Sequence, residues 1–326
     1  MQYLPQRVQT MLSAIRILVP LFQLGSKIII LGGSLLNNFE TLYDDHYSIN
    51  NNCLYAISTS SKGTREKKLC NFVPWLVREI TVDDGTKTTT HITLSGIHED
   101  GRTLPEVEIP AEELASFNWL SNSWSIDCIL EPGKNIKDRL RHAIQTTAHQ
   151  AERAMVYTVT GWREINGEWF YLMPGDDQRT VSLPGKMGHY CMERCWDEAD
   201  VSSALSLLNS GMAPAEILYP MMAFTFLSPL NHFLKLAGHE PKFVLFLVGK
   251  TGSRKSTLAA LFLSFFGRFT GAELPLSFQD TANSILQNTF TLKDVLTCID
   301  DFHPAGRYEE QKLTDTAQKI MRAYGD

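Results

Sequence analysis

Apolar and polar positions alternate with period two over Leu76–Val82 and again over Thr88–Leu94, with Asp83-Asp84-Gly85 between them. Period two places one face of each segment on a core, and Asp-Gly suits a turn with positive φ, so the pattern predicts a β-hairpin. A further strand is predicted at Glu106–Ile109. A short helix follows Pro110 at Ala111-Glu-Glu-Leu-Ala, because proline is tolerated at a helix start. Ile136, Leu140, Ile144 and Ala148 recur at helical spacing and predict a helix between Lys134 and Gln150. Met155–Trp162 reads as a strand, Asn166-Gly167 as a turn, and Glu168–Met173 as the returning strand.

The texture changes near residue 195. Val201–Leu208 and Ala215–Leu236 read as helical, with Pro220 and Pro229 breaking the second stretch. Phe243–Val248 is a continuous apolar run, the signature of a strand buried on both faces. An apolar helix is predicted from Leu258 to Phe266 and another short apolar strand at Val295–Ile299. The expected fold class is therefore α/β. A β-rich α+β domain over residues 53–195 precedes a helical lead-in and a partial P-loop core with a parallel sheet over residues 196–326. Residues 1–52 leave two readings open, a helix packed on the body or an extension without fixed order. Ile15–Leu36 is apolar, but Arg16, Gln23 and Lys27 interrupt it short of the ~18 residues a spanning helix needs, so no membrane association is expected.

Composition adds limits. Hydrophobic residues make up 44% and charged residues 20%, as in a globular chain. The 30 basic and 36 acidic residues give a formal charge of -6, so net charge carries no nucleic-acid signature. Lys134, Lys137, Arg139, Arg141 and Arg153 admit either a phosphate-contacting face or a solvated helix surface. The hairpin aromatics likewise admit core packing or base stacking. Six scattered cysteines fit a reducing, cytoplasmic setting. The tightest cluster, His189, Cys191 and Cys195, lacks a fourth nearby ligand for a structural zinc.

The chemistry lies near the C-terminal end. The run Phe243–Val248 leads into Gly249-Lys250-Thr251-Gly252-Ser253-Arg254-Lys255-Ser256-Thr257, and a helix follows at once. Strand, tight loop and helix form the setting of a phosphate-binding loop. Backbone N–H groups and the helix dipole face the phosphates, a lysine neutralises them, and a hydroxyl ligates magnesium. Gly249, Lys255 and Ser256 match the pattern G-x-x-x-x-G-K-[ST]. Arg254 stands where its second glycine belongs, and a left-handed conformation there costs about 1–2 kcal/mol. Val295–Ile299 ends in Asp300-Asp301, the second element an ATPase requires. Asp300 is assigned to Mg2+ together with Ser256, and Asp301 to the attacking water, which makes Lys255 and Asp301 the candidate catalytic pair.

From Thr158 onward the chain resembles the family of the domain of unknown function 927, found in phage-, plasmid- and transposon-like proteins beside primase modules. The residues that carry the match are Thr160-Gly161-Trp162-Arg163, Leu230–Gly238, Gly249–Thr257, Asp280-Thr281-Ala282-Asn283, the Asp300-Asp301 strand and Ala323-Tyr324-Gly325-Asp326. The resemblance implies a RecA- or AAA-like, helicase-like ATPase using ATP and Mg2+. It also implies single-stranded or forked DNA as partner and a homo-oligomer in the full-length protein. Such a core continues with more strands, a polar sensor and an arginine finger, so the sequence reads as C-terminally truncated. Arg254, Asp301 in place of glutamate and the expected missing C-terminal part keep two alternatives in play: a nucleotide-binding module without turnover, and a non-catalytic interaction protein with a degenerate loop.

Overall fold

The computed structural model describes residues 42–61, 63–176, 179–192, 198–304 and 306–325. It is a mixed α/β structure whose N-terminal region is rich in strands. The chain forms two compact units. Among the described residues the first comprises 42–77, 93–151 and 198–206, and the second 78–92, 152–192 and 207–325.

In the first unit, β1 (Tyr47–Asn50), β2 (Cys53–Ser60) and β3 (Gly63–Cys70) form an antiparallel meander. The expected hairpin is present as β4 (Phe72–Asp83) and β5 (Thr88–His98), and its two strands run from the first unit into the second. β6 (Thr103–Pro110) pairs with β5. The predicted helix after Pro110 is a short 3-10 turn, Ala111–Ala115. Helices α1 (Asn118–Ser123), α2 (Ile136–Thr146) and α3 (Glu198–Ser206) complete the unit. Ile136, Leu140, Ala143 and Ile144 bury one face of α2, as its spacing requires. Phe72, Trp119 and Trp124 meet edge to face, with centroids 5.5 and 5.0 Å apart, and anchor the core.

In the second unit, β7 (Glu152–Tyr157) runs parallel to residues 78–83 of β4, and β10 (Thr180–Val181) runs parallel to β7. The segment predicted as one strand over 155–162 is two. β7 ends at Tyr157, and β8 (Gly161–Ile165) pairs instead with β9 (Glu168–Leu172) across the expected Asn166-Gly167 turn. The break comes from hydrogen bonds on either side of it. The N–H of Thr158 donates to Asp83 O at 2.9 Å and that of Thr160 to Thr291 O at 2.9 Å, so the chain leaves one sheet and joins another.

Helix α4 (Ala215–Leu227) runs through Pro220 and ends at Ser228-Pro229, before α5 (Asn231–Leu236). Pro220 therefore forgoes one backbone hydrogen bond without ending its helix, contrary to the expected break. Helix α6 (Lys255–Leu263) begins at the loop lysine, three residues earlier than the apolar pattern indicates. β11 (Leu276–Ser277), α7 (Ala282–Thr291), β12 (Ile299–Asp300) and α8 (Arg307–Gly325) follow. Leu276, Phe278, Ile285, Leu313, Ala317 and Ile320 close a core between α7, α8 and the β11–β12 pair. The run Phe243–Val248 is not a strand. No ladder partner lies beside it among the described residues, so its backbone is unpaired and its side chains stay largely exposed. Among the described residues, no helix is long and apolar enough to cross a membrane.

Candidate nucleotide site

Residues Gly249–Arg254 form a tight loop that opens directly into α6. Gly252 has φ +83° and Arg254 φ +63°, so the loop turns twice through the left-handed region before the helix starts. Arg254 caps the helix in that conformation, and its carbonyl accepts the Leu258 N–H at 2.9 Å. The arginine thus occupies the position where a glycine carries no steric cost. The Ser253 N–H donates to Lys250 O at 3.2 Å, which closes the loop. The Lys255 ammonium folds back into it, donating to Gly249 O at 2.8 Å and Lys250 O at 3.1 Å. A lysine held over its own loop carbonyls places one positive charge at the concave side of the turn. Thr257 packs against Gly271, where an added Cβ would come within 3.2 Å of the threonine backbone and hydroxyl.

The acidic pair is delivered by the β11–β12 ladder. Leu276 pairs with Ile299 and Ser277 with Asp300 in parallel register. β12 thereby ends beside the start of α6, where the Ser256 hydroxyl donates to Asp300 Oδ2 at 2.8 Å. Magnesium binds oxygen at about 2.0–2.1 Å in octahedral geometry, which places adjacent ligands about 2.9 Å apart. Ser256 and Asp300 meet through an ordinary hydrogen bond at 2.8 Å and supply two oxygen donors of the kind this ion takes. Asp301 is exposed, has φ +65°, and accepts a hydrogen bond from Gln279 Nε2 at 3.3 Å. Asp300 and Asp301 therefore point to different partners. Burial, with the Asp300 charge beside it, pushes the Cys298 thiol up to about 12.

The structure brings Ser256 and Asp300 together, with Lys255 and Asp301 their neighbours along the chain. Lys250, Thr251 and Ser253 stay on the exposed loop. Two partners escape sequence reading. Gln279 is one, because nothing in its neighbourhood marks it until the β11–β12 register sets it beside Asp301. The other is Lys293-Asp294, which holds the Thr160–Arg163 segment. The Thr160 hydroxyl donates to Lys293 O at 2.9 Å, and the Trp162 N–H to Asp294 Oδ2 at 3.1 Å. The Tyr171 hydroxyl donates to Asp294 O at 2.7 Å. An added Cβ at Gly161, φ +94°, would lie 2.7 Å from both Lys293 O and Asp294 Oδ2. Arg163 Nη2 pairs with the buried Asp83 at 2.7 Å. This motif is thus a clamp onto the segment that feeds β12.

The Asp280–Asn283 motif also has a local role. Asp280 Oδ2 accepts the Ser277 N–H at 3.1 Å, and the Thr281 hydroxyl caps α7 by accepting the Ser284 N–H at 3.2 Å. Of the sequence's tight histidine–cysteine cluster, Cys195 lies outside the described residues. A shallow surface concavity of the second unit is lined by Glu79, Thr81, Arg153, Ala154 and Met155.

No protein-family model and no curated protein matches the chain. Among solved structures it is similar to one described as the SCCmec type IV Cch active helicase, at 14% identity and a TM-score of 0.38. The match covers 74% of this chain and 44% of that one, so the chain spans less than half of the helicase's length. The likeness is distant.

Proposed function

We propose that the second unit binds ATP with Mg2+ as a helicase-like P-loop ATPase module of a mobile-element DNA replication protein. The observation that carries this reading is the 2.8 Å contact between the Ser256 hydroxyl and Asp300 at the mouth of the Gly249–Thr257 loop. On this reading residues 53–195 are a family-specific β-rich domain and 196–326 the lead-in and ATPase core. The resemblance to the domain of unknown function 927 rests on the residues quoted for it above.

Lys255 and the loop N–H groups, with Arg254 at their edge, bind the phosphates and orient the terminal one. Ser256 and Asp300 would hold the magnesium ion, which would supply positive charge against the phosphates. Asp301 accepts a proton from the attacking water, and the Gln279 amide fixes the direction of its carboxylate. Single-stranded or forked DNA is the partner implied by the family resemblance. Its affinity then falls steeply with salt, because each neutralised phosphate releases counterions.

The test is titration with a fluorescent ATP analogue, with and without Mg2+. Lys255→Ala is expected to weaken binding at least tenfold, about 1.4 kcal/mol. Ser256→Ala removes the magnesium dependence and keeps the metal-free binding. Unchanged affinity in Lys255→Ala sinks the nucleotide reading. The reading without turnover is favoured by one observation, the bulky Arg254 at φ +63° in the loop. Saturable binding with no phosphate release, with DNA present, supports it over hydrolysis.

A further inference from the structure

The first unit carries a second polar cluster, unrelated to the loop. β5 ends at His98, and the segment Ser125–Leu130 returns beside it. Asn71 fixes that segment. Its Oδ1 accepts the Ile129 N–H at 2.7 Å, and its Nδ2 donates to Asp127 O at 2.8 Å. The Cys128 N–H is tied to Ser125 O at 3.0 Å, and the His98 N–H to Arg102 O at 3.0 Å. His98, Asp127 and Cys128 are therefore held by short backbone contacts, and one donor atom from each lies within 4.8 Å of the other two. His98 and Cys128 are buried.

Three details describe how these donors are partnered. Asp127 Oδ1 is buried without a hydrogen bond, while Oδ2 is engaged by Arg102. Next, Asn71 Nδ2 has two hydrogens but three acceptors in reach: Asp127 O at 2.8 Å, Glu99 Oε1 at 3.2 Å and His98 Nε2 at 3.2 Å. His98 Nε2 also lies 3.3 Å from Asp127 O, the carbonyl that takes the shortest of these contacts. Finally, His98 Nδ1 lies 3.1 Å from Asp100 Oδ1. The Asp100 N–H lies 3.4 Å from the same Nδ1; donation from Nδ1–H to the Asp100 carboxylate is the tautomer that leaves Nε2 bare, the arrangement in which a carboxylate orients a metal-bound imidazole.

We infer that His98 Nε2, Asp127 Oδ1 and Cys128 Sγ form a binding site for a divalent transition metal of the zinc class. One nitrogen, one oxygen and one sulfur donor suit a borderline ion and not Mg2+ or Ca2+. Tetrahedral zinc, with bonds of about 2.0–2.3 Å, sets its ligands roughly 3.3–3.8 Å apart, so the cluster contracts by about 1 Å on binding. Water takes the fourth position. Cys128 is a free thiol and is buried. Binding therefore breaks the Cys128 S–H bond, forms the S–metal bond and releases the proton to solvent.

The experiment uses the full chain, reduced and stripped with chelator, titrated with Co2+ as an optical stand-in for zinc. One equivalent is expected to give tetrahedral d–d bands and thiolate-to-cobalt charge transfer, both bleached by Zn2+. Cys128→Ser removes the charge-transfer band. His98→Gln weakens Co2+ at least tenfold, the scale of a lost metal-site partner. Cys53→Ser leaves the spectrum intact, although this thiol is also in the first unit, 3.5 Å from Glu99. Circular dichroism establishes that each variant is folded. A folded wild-type chain without the bands, or a charge-transfer band that survives Cys128→Ser, overturns the inference. X-ray absorption at the zinc edge of the wild type tests it without any variant. A sulfur scatterer at about 2.3 Å is expected, and its absence overturns the site.

Discussion

Phe243–Val248 and Val295–Ile299 lead into the two halves of the candidate site, and both have the composition of a buried strand. The second is embedded. Val295 and Leu296 are buried, the Leu296 carbonyl accepts from the Tyr190 hydroxyl at 2.9 Å, and the run ends in the β11–β12 ladder. The first has no ladder. Five of its residues are 39% to 90% exposed, and Phe243 alone finds an aromatic neighbour, Phe224 of α4, at 5.6 Å. Apolar texture states that a segment gains by burial, about 25 cal/mol per Å2, but not that a neighbour exists to bury it. The loop is thus held from its helix side, through Ser256 and Asp300, and not from the chain that enters it.

Substitutions can break or sharpen this contrast. The largest effect is expected behind the embedded run. Gly161→Ala adds a Cβ 2.7 Å from Lys293 O at a positive φ, and is expected to cost on the order of 3 kcal/mol in urea unfolding. Leu296→Ala follows at about 2–4 kcal/mol, while Val248→Ser stays within about 0.5 kcal/mol. Equal costs at the two positions would end the comparison. Arg254→Gly relieves left-handed strain and is expected to stabilise by about 1 kcal/mol, read as a rise in Tm. The smallest signal at neutral pH is chemical. Cys298, with its thiol at about 12, resists alkylation until the unit unfolds. The sign follows from the raised folded value. The contribution is full below the unfolded pKa, near 9, and is lost as pH climbs from 9 to about 12. Cys298→Ser flattens that window.

Turn chemistry was legible because it is local. Gly85, Asn166 and Gly167 are residues that accept positive φ at little cost; all three adopt it, and both hairpins form there. The face of α2 was legible for the same reason. Pairing was not. Nothing within Met155–Trp162 announces that Thr158 and Thr160 bind Asp83 and Thr291, so one predicted strand became two. Gln279 and Asp294 escaped notice because their meaning depends on which distant segment lies opposite. Pro220 misled because a proline penalty is local while the packing that overrides it is not. Leu218, Met221, Met222 and Thr225 of the same helix are buried around it.

The clamp around Gly161 has an optical consequence. Trp162 binds Asp294 through its backbone and Pro229 O through its indole N–H, at 2.7 Å, with Tyr171 and Phe233 rings 5.1 and 4.9 Å away. Its emission spectrum and quenching are set by that enclosure. Because Asp294 lies on the segment that continues into Asp300, a displacement of β12 alters the surroundings of this indole. The second unit thereby contains its own fluorophore for following events at the acidic strand, without an added label.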